Sequence, residues 1–167
     1  MKISILTLFP HWFDGVFGES ILARARENGL AEIEVHNIRD WATDKHHTVD
    51  DAPYGGGGGM LMKPEPVSAA LDEVAGPPGT EGRAHVLFTS PRGRTWNQDW
   101  AKTCSHHQRD LVLLCGHYEG LDERFIETRV DEEVSIGDFV MTGGEIAAMA
   151  IVDSIVRLLP GALGAAD

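Results

Sequence analysis

Cysteine is scarce in this chain: its 167 residues contain two, Cys104 and Cys115. Two thiols do not make the disulfide framework of a small secreted domain, and a reducing cytosol fits this usage. Long hydrophobic runs are missing too. No stretch approaches the roughly 20 apolar residues of a membrane-spanning helix. The opening MKISILTLFP has one Lys and a short apolar run, then meets Pro10 without a small-residue cleavage site. It reads as a buried first strand, not a signal peptide. Basic residues are in deficit, 14 Lys and Arg against 26 Asp and Glu, for a net charge of −12. That balance argues against a general nucleic-acid binder with a basic surface, and leaves only a local basic patch or another domain to hold phosphates. No Gly-Lys-Ser/Thr is present, which rules out a Walker phosphate loop. The pairs His46-His47 and His106-His107 complete no zinc-ligand spacing, so no metal site is expected.

What is present is ordinary globular material. Hydrophobic residues make up 43% of a chain long enough for one domain with its own core. The patterning predicts strands at residues 2–8, around 33–37, at 85–89, 111–115 and 133–136. Helices are expected at 11–17, 19–28, 64–75, 97–106, 122–129 and 144–159, with Gly29 and Asp122 as cap candidates. Strands alternating with helices indicate an α/β domain with a mainly parallel sheet flanked by helices. Residues 39–60 carry no period and read as a long functional loop. The last helix is apolar nearly all round, which predicts burial on two faces, in the domain centre or against another subunit.

The chain is organised around residues 111–145, LVLLCGHYEGLDERFIETRVDEEVSIGDFVMTGGE. Two apolar runs in it open into glycine turns, at Gly116 and at Gly137. In an open α/β sheet, ligands sit beyond the carboxyl ends of strands. Turns walled by glycine backbone let a ligand approach closely. Upstream, Pro53-Tyr-Gly-Gly-Gly-Gly-Gly-Met60 admits two readings, a flexible linker or a nucleotide-contacting loop. Glu119 reads either as a solvated turn residue or as an acceptor for a ligand's amino groups. Arg157, four residues after Asp153, suits a helical ion pair or an oxygen-bearing ligand, and the two are compatible.

Taken together these segments resemble the bacterial tRNA (guanine-37-N1)-methyltransferases, a SPOUT-class family. The carriers are LFP at 8–10, TVDDAPYGGGGGM at 48–60, SPRG at 90–93, CGHYEGLDER at 115–124, DEEVSIGDFVMTGGE at 131–145 and DSIVRLLPGALG at 153–164. The resemblance implies a deep C-terminal trefoil knot, which topology rules alone would not suggest. It implies S-adenosylmethionine held by Ser90, Pro91, Gly116, Tyr118, Glu119, Gly120, Ser135, Ile136, Gly137, Asp138, Phe139, Val140, Met141, Gly143 and Gly144. Substrate tRNA falls to Asp50, Tyr54, Gly55, Gly56, Gly57, Gly59 and Arg157.

The implied chemistry is methyl transfer to N1 of guanine 37. Arg157 and Glu119 are the catalytic positions within the chain, Arg157 stabilising negative charge that develops on the base. The family's general-base Asp would fall beyond Asp167. Also implied are a cytoplasmic homodimer with its active site at the subunit interface and a tRNA-gripping C-terminal domain. The expected organisation is thus a donor-binding domain over 1–164, with 165–167 starting a linker, and a chain that binds donor but methylates tRNA poorly. Neither residues nor resemblance decides on a divalent ion. The alternatives are another SPOUT methyltransferase, acting on a ribose hydroxyl or ribosomal RNA, and a non-catalytic nucleotide-binding module.

Overall fold

The computed structural model describes residues 1–53 and 55–164. Its centre is a five-stranded sheet in the order β2-β1-β6-β5-β7, every neighbouring pair parallel. The strands are β1 (Lys2–Thr7), β2 (Glu32–Asn37), β5 (His85–Thr95), β6 (Leu111–Cys115) and β7 (Glu132–Ser135). Two short strands, β3 (Asp50–Asp51) and β4 (Leu61–Met62), pair antiparallel as a separate ribbon. The helices are α1 (Ser20–Glu27), α2 (Pro64–Val74), α3 (Gln98–His107), α4 (Glu123–Arg129) and α5 (Glu145–Val156).

Side chains alternate across a strand, and here both faces are covered. Ile3, Ile5, Leu87, Leu111, Leu113 and Cys115 point into one core, with Trp100 of α3 and Ile151, Val152 and Ile155 of α5. Leu6, Val86, Phe88, Val112 and Leu114 point into the other, with Val67 and Leu71 of α2 and Ile126 of α4. This explains why β6 reads LVLLC without a polar residue: all five positions are buried. Burying each large apolar side chain is worth about 1.5–3 kcal/mol, so the strand centres anchor the domain.

Caps set several boundaries. The Asn97 side chain accepts from Trp100 N and starts α3, and Asp122 accepts from Arg124 N and starts α4. Gly29, with φ +72°, follows the end of α1.

Three expectations are corrected. Residues 11–17 form no α-helix but two short 3-10 turns, Pro10–Phe13 and Val16–Gly18, separated at Gly15. The third strand does not stop at Ser90. It bulges over residues 90–93, then Arg94 and Thr95 pair again with Val134 and Ser135. A bulge takes Pro91, which has no N–H to give a ladder, out of register.

The 39–60 segment is not one structureless loop. It begins in a 3-10 turn, Ile38–Trp41, and Asp44 then accepts from Thr48 N at 2.9 Å and from the Thr48 hydroxyl at 2.6 Å. It ends in the β3–β4 ribbon. Within a single chain α5 is buried on one face, which leaves packing against another subunit as the way to cover the other. Ile146, Ala150, Asp153 and Arg157 form an exposed stripe at i, i+4, i+7, i+11, opposite the buried one. The helix stops at Val156, and its last turn tightens to i→i+3 bonds, Leu158 N to Ile155 O and Leu159 N to Val156 O.

Among the described residues no helix is long and apolar enough to cross a membrane. Both cysteines are free thiols, Cys115 fully buried.

Candidate methyl-donor site

The bulge in β5 and the carboxyl ends of β6 and β7 open together onto a cavity of about 400 Å³. That is within the range of small-molecule sites. Three segments wall it: the β5 bulge, the turn after β6 and the long turn from β7 into α5.

Hydrogen bonds lock these walls to one another. The Thr89 hydroxyl donates to Leu114 O at 3.4 Å and accepts from Gly116 N at 3.0 Å. Gly144 N donates to Gly116 O at 2.8 Å, joining the second turn to the first. Ser135 Oγ donates to Gly137 O at 2.9 Å and accepts from Gly137 N at 3.2 Å, closing the start of the last turn. A Cβ at Gly144 would overlap the Thr89 hydroxyl, so only glycine lets the turns meet here.

Of the residues expected at the donor, Ser90, Pro91, Gly116, Tyr118, Glu119 and Gly120 line this cavity. So do Ser135, Ile136, Gly137, Phe139, Val140, Met141, Gly143 and Gly144. Asp138 is exposed and stands outside the lining, between Gly137 and Phe139, which belong to it. Sequence reasoning missed Phe88, Thr89, Arg92, Glu123 and Ala147, which also line it. Arg92 bridges the rim, pairing with Glu123 of α4 and, at 3.1 Å, with Glu133 of β7. All are at least partly solvated, so the bridge shapes the mouth more than it stabilises the fold.

The glycine-rich segment is tied to the same turn. Glu119 N donates to Met60 O and Met62 N to Gly120 O, each at 2.8 Å. A Cβ on Gly59 would stand 2.9 Å from Glu119 Oε1. Gly55, Gly56, Gly57 and Gly59 all have positive φ, and a Cβ at the first three would meet open space. Tyr54 lies outside the described residues. Asp50 sits half-buried in β3, paired in register with Met62.

Arg157 is not at this cavity. It is exposed at the far end of α5, while the cavity touches the helix start. At 1.5 Å per residue the twelve steps from Glu145 to Arg157 span about 18 Å. Among the described residues no ion pair joins Arg157 to Asp153. Its backbone N–H donates to Asp153 O at 3.2 Å.

Two titratable groups lie beneath the turns. Burial pushes the Glu145 carboxyl above the usual glutamate range, against hydrogen bonds from Cys115 and Thr7 that pull it down. Burial, then the nearby charge of Arg39, holds the His117 imidazole below its ordinary value. Among the described residues, no three His, Cys, Asp or Glu side chains are grouped to hold a metal ion.

The site suits a flat, polar ligand with an apolar part. Backbone N–H and C=O groups of two turns supply directional contacts, while Ile136, Phe139, Val140 and Met141 supply apolar ones. The profile of one family, described as tRNA (Guanine-1)-methyltransferase TrmD, matches residues 1–167. Among curated relatives, a tRNA (guanine-N(1)-)-methyltransferase of Dehalococcoides mccartyi strain BAV1 is 53% identical over 167 residues, covering 100% of this chain and 66% of the relative. Proteins of the same name from Geobacter sulfurreducens and Geobacter sp. strain M21 are 52% and 55% identical over 164 residues. Each alignment covers 98% of this chain, with 65% and 64% of those relatives. The chain thus spans about two thirds of the length of the curated relatives it matches. A full-length profile match together with identities above half places the chain in the tRNA (guanine-1)-methyltransferase TrmD family.

Proposed function

We propose that this chain transfers a methyl group from S-adenosylmethionine to N1 of guanine 37 in tRNA. The observation that carries the reading is the convergence of the Gly116–Gly120 and Gly137–Gly144 turns with Ser90-Pro91 around one cavity at the strand ends. The residues fit the donor. Backbone of the two turns, Gly143 included, supplies contacts for a purine edge, held in place by the bonds of Gly116 and Gly144 to Thr89 and to each other, and the apolar side chains of the last turn supply its faces. When bound, the donor supplies an electrophilic methyl group.

The acceptor side is built by the chain's own residues. The Asp50–Met60 segment, tied to Glu119 and Gly120, is where the guanine nucleotide enters. Glu119 accepts hydrogen bonds from the guanine edge. N1 of guanine carries a proton that passes to a general base, a carboxylate by the family resemblance, as the methyl arrives, and Arg157 stabilises the negative charge that develops on the guanine as N1 is deprotonated.

Arg157 serves this role across a dimer interface. Its position about 18 Å along α5 puts it beyond reach of its own chain's cavity. The exposed stripe it shares with Ile146 and Ala150, with Phe139 and Val140 also exposed, is apolar enough to seat a second copy. In this reading the protein is a cytoplasmic homodimer with each site completed by the partner. The close approach at Gly93, where a Cβ would collide with the Val134 backbone, fits the tight threading of a trefoil knot.

Calorimetry with S-adenosylmethionine and with ATP tests the donor, and mass mapping of methylated tRNA tests the acceptor. Binding of S-adenosylmethionine alone and methyl on N1 of guanine 37 support the reading. Preference for ATP, or methyl on a ribose hydroxyl, contradicts it.

A further inference from the structure

Among the described residues, Glu145 is the only buried side chain of the charged types, 4% exposed. A carboxyl in the core is costly unless it is neutral or paired. An acid at a helix start is favourable on the surface, so helix formation does not explain why this one is buried. Its hydrogen-bonding neighbours, Thr7 on β1 and Cys115 at the end of β6, are both uncharged donors.

Its location is specific. Glu145 directly follows Gly143 and Gly144, both in the cavity wall. Its Oε1 lies 2.7 Å from the point where a Gly143 Cβ would stand, and His117 Nδ1 lies 2.8 Å from the same point. That nitrogen is buried with no hydrogen-bond partner among the described residues. From β5, Thr89 faces Gly144 and carries no charge. The groups around Glu145 are therefore Thr7, Cys115, His117 and Thr89, with Arg39 acting on His117 from the 3-10 turn after β2. Burial keeps Glu145 protonated more readily than a solvated glutamate.

A sulfonium donor and its thioether product differ by one positive charge at sulfur. A carboxyl buried in low dielectric directly behind the wall at Gly143 and Gly144 responds strongly to such a charge. We propose that Glu145 determines donor specificity: its carboxyl ionises, releasing its proton to solvent, when the cavity takes up the sulfonium, and stays protonated when the cavity holds the neutral thioether. The device favours uptake of donor and release of product. It rests on the reading of this cavity as a sulfonium-donor site.

Calorimetric titration of the 167-residue chain with S-adenosylmethionine and with S-adenosylhomocysteine tests it. The titrations are run between about pH 5 and about pH 6.5, in buffers of different ionisation enthalpy. The expected result is release of a large fraction of a proton with the sulfonium and far less with the thioether. In Glu145→Gln the release vanishes, and the preference for sulfonium over thioether falls about tenfold. In His117→Asn the release persists.

Equal release with both ligands, release surviving in Glu145→Gln, or release lost only in His117→Asn overturns the proposal. Thermal melting reports whether Glu145→Gln folds; if it does not, the comparison of the two ligands on the unaltered chain decides. Binding of neither ligand overturns the donor-site reading itself, a different result from binding without proton release.

Discussion

Gly59 lies directly against the side chain of Glu119: a Cβ on Gly59 would stand 2.8 Å from Glu119 Cγ and 2.9 Å from Oε1. Its φ of +87° is a conformation that L-residues with a side chain rarely adopt. With the backbone bonds from Glu119 N to Met60 O and from Met62 N to Gly120 O, this contact binds the glycine-rich segment to the turn after β6.

Gly59→Ala therefore displaces either the segment or the Glu119 carboxylate. The strain is about 1–2 kcal/mol and local. Steady-state kinetics should show kcat/KM for tRNA lowered about tenfold or more. The donor dissociation constant, measured by calorimetry, should move less than about threefold. Unchanged tRNA kinetics would remove Glu119 from the acceptor site.

Thr89→Val keeps the side chain's volume and deletes the hydroxyl that links β6 to its turn. Gly116 N then loses its acceptor in a partly buried place. A stability loss of about 1–3 kcal/mol is expected from urea unfolding. Donor affinity should fall with it, because the same bond places Gly116. A variant within about 0.5 kcal/mol of the unaltered chain contradicts the locking role of Thr89.

Asp131 links stability to pH. Burial raises its carboxyl, but the Val86 N–H at 2.7 Å and Arg83 at 2.9 Å outweigh it and hold the group below the usual aspartate range. A depressed native pKa contributes stability that is fully present above the unfolded value, about 3.9, and is lost as pH falls through the native one. Melting temperature followed from about pH 6 down to about pH 2 should decline more steeply in the unaltered chain than in Asp131→Asn. Parallel acid limbs would show that Asp131 contributes nothing.

Arg157→Ala tests site sharing. Alone it should lose most turnover and keep donor binding. Gly144→Val should lose donor binding through the clash with Thr89. If each site takes its arginine from the partner, mixing the two variants restores about a quarter of normal activity, since half of randomly assorted dimers then hold one intact site. Activity no greater than the sum of the separate variants means Arg157 acts within its own chain, or not at all.

Much of this was legible in the sequence. Strand β6 and the helix cap at Asp122 follow from local pattern, an unbroken apolar run and an Asx side chain ahead of a helix. The two glycine turns were legible as cavity walls because glycines at strand ends let backbone approach closely. What the sequence hid is tertiary. The pairing of Arg94 with Val134 beyond the Ser90–Gly93 bulge depends on a partner strand some forty residues away. Thr89 looked like the last residue of an apolar strand, and only the approach of Gly116 and Gly144 reveals what its hydroxyl does. Of the two covers expected for α5 the domain itself supplies one face only, because an apolar sequence marks a surface that prefers to be covered, not what covers it. Arg157 was singled out as a charged interruption of that apolar helix, and its distance from the cavity emerges only once the helix is placed.

The most direct test of the central claim, that the two glycine turns and Ser90 form the methyl-donor site, is amide NMR of the isotope-labelled chain titrated with S-adenosylmethionine. The account predicts saturable shifts concentrated at Ser90, Gly116, Gly120, Gly137, Gly143 and Gly144, with the amides of β2 and α1 unmoved. Saturable shifts centred elsewhere, or none at these glycines, would contradict it.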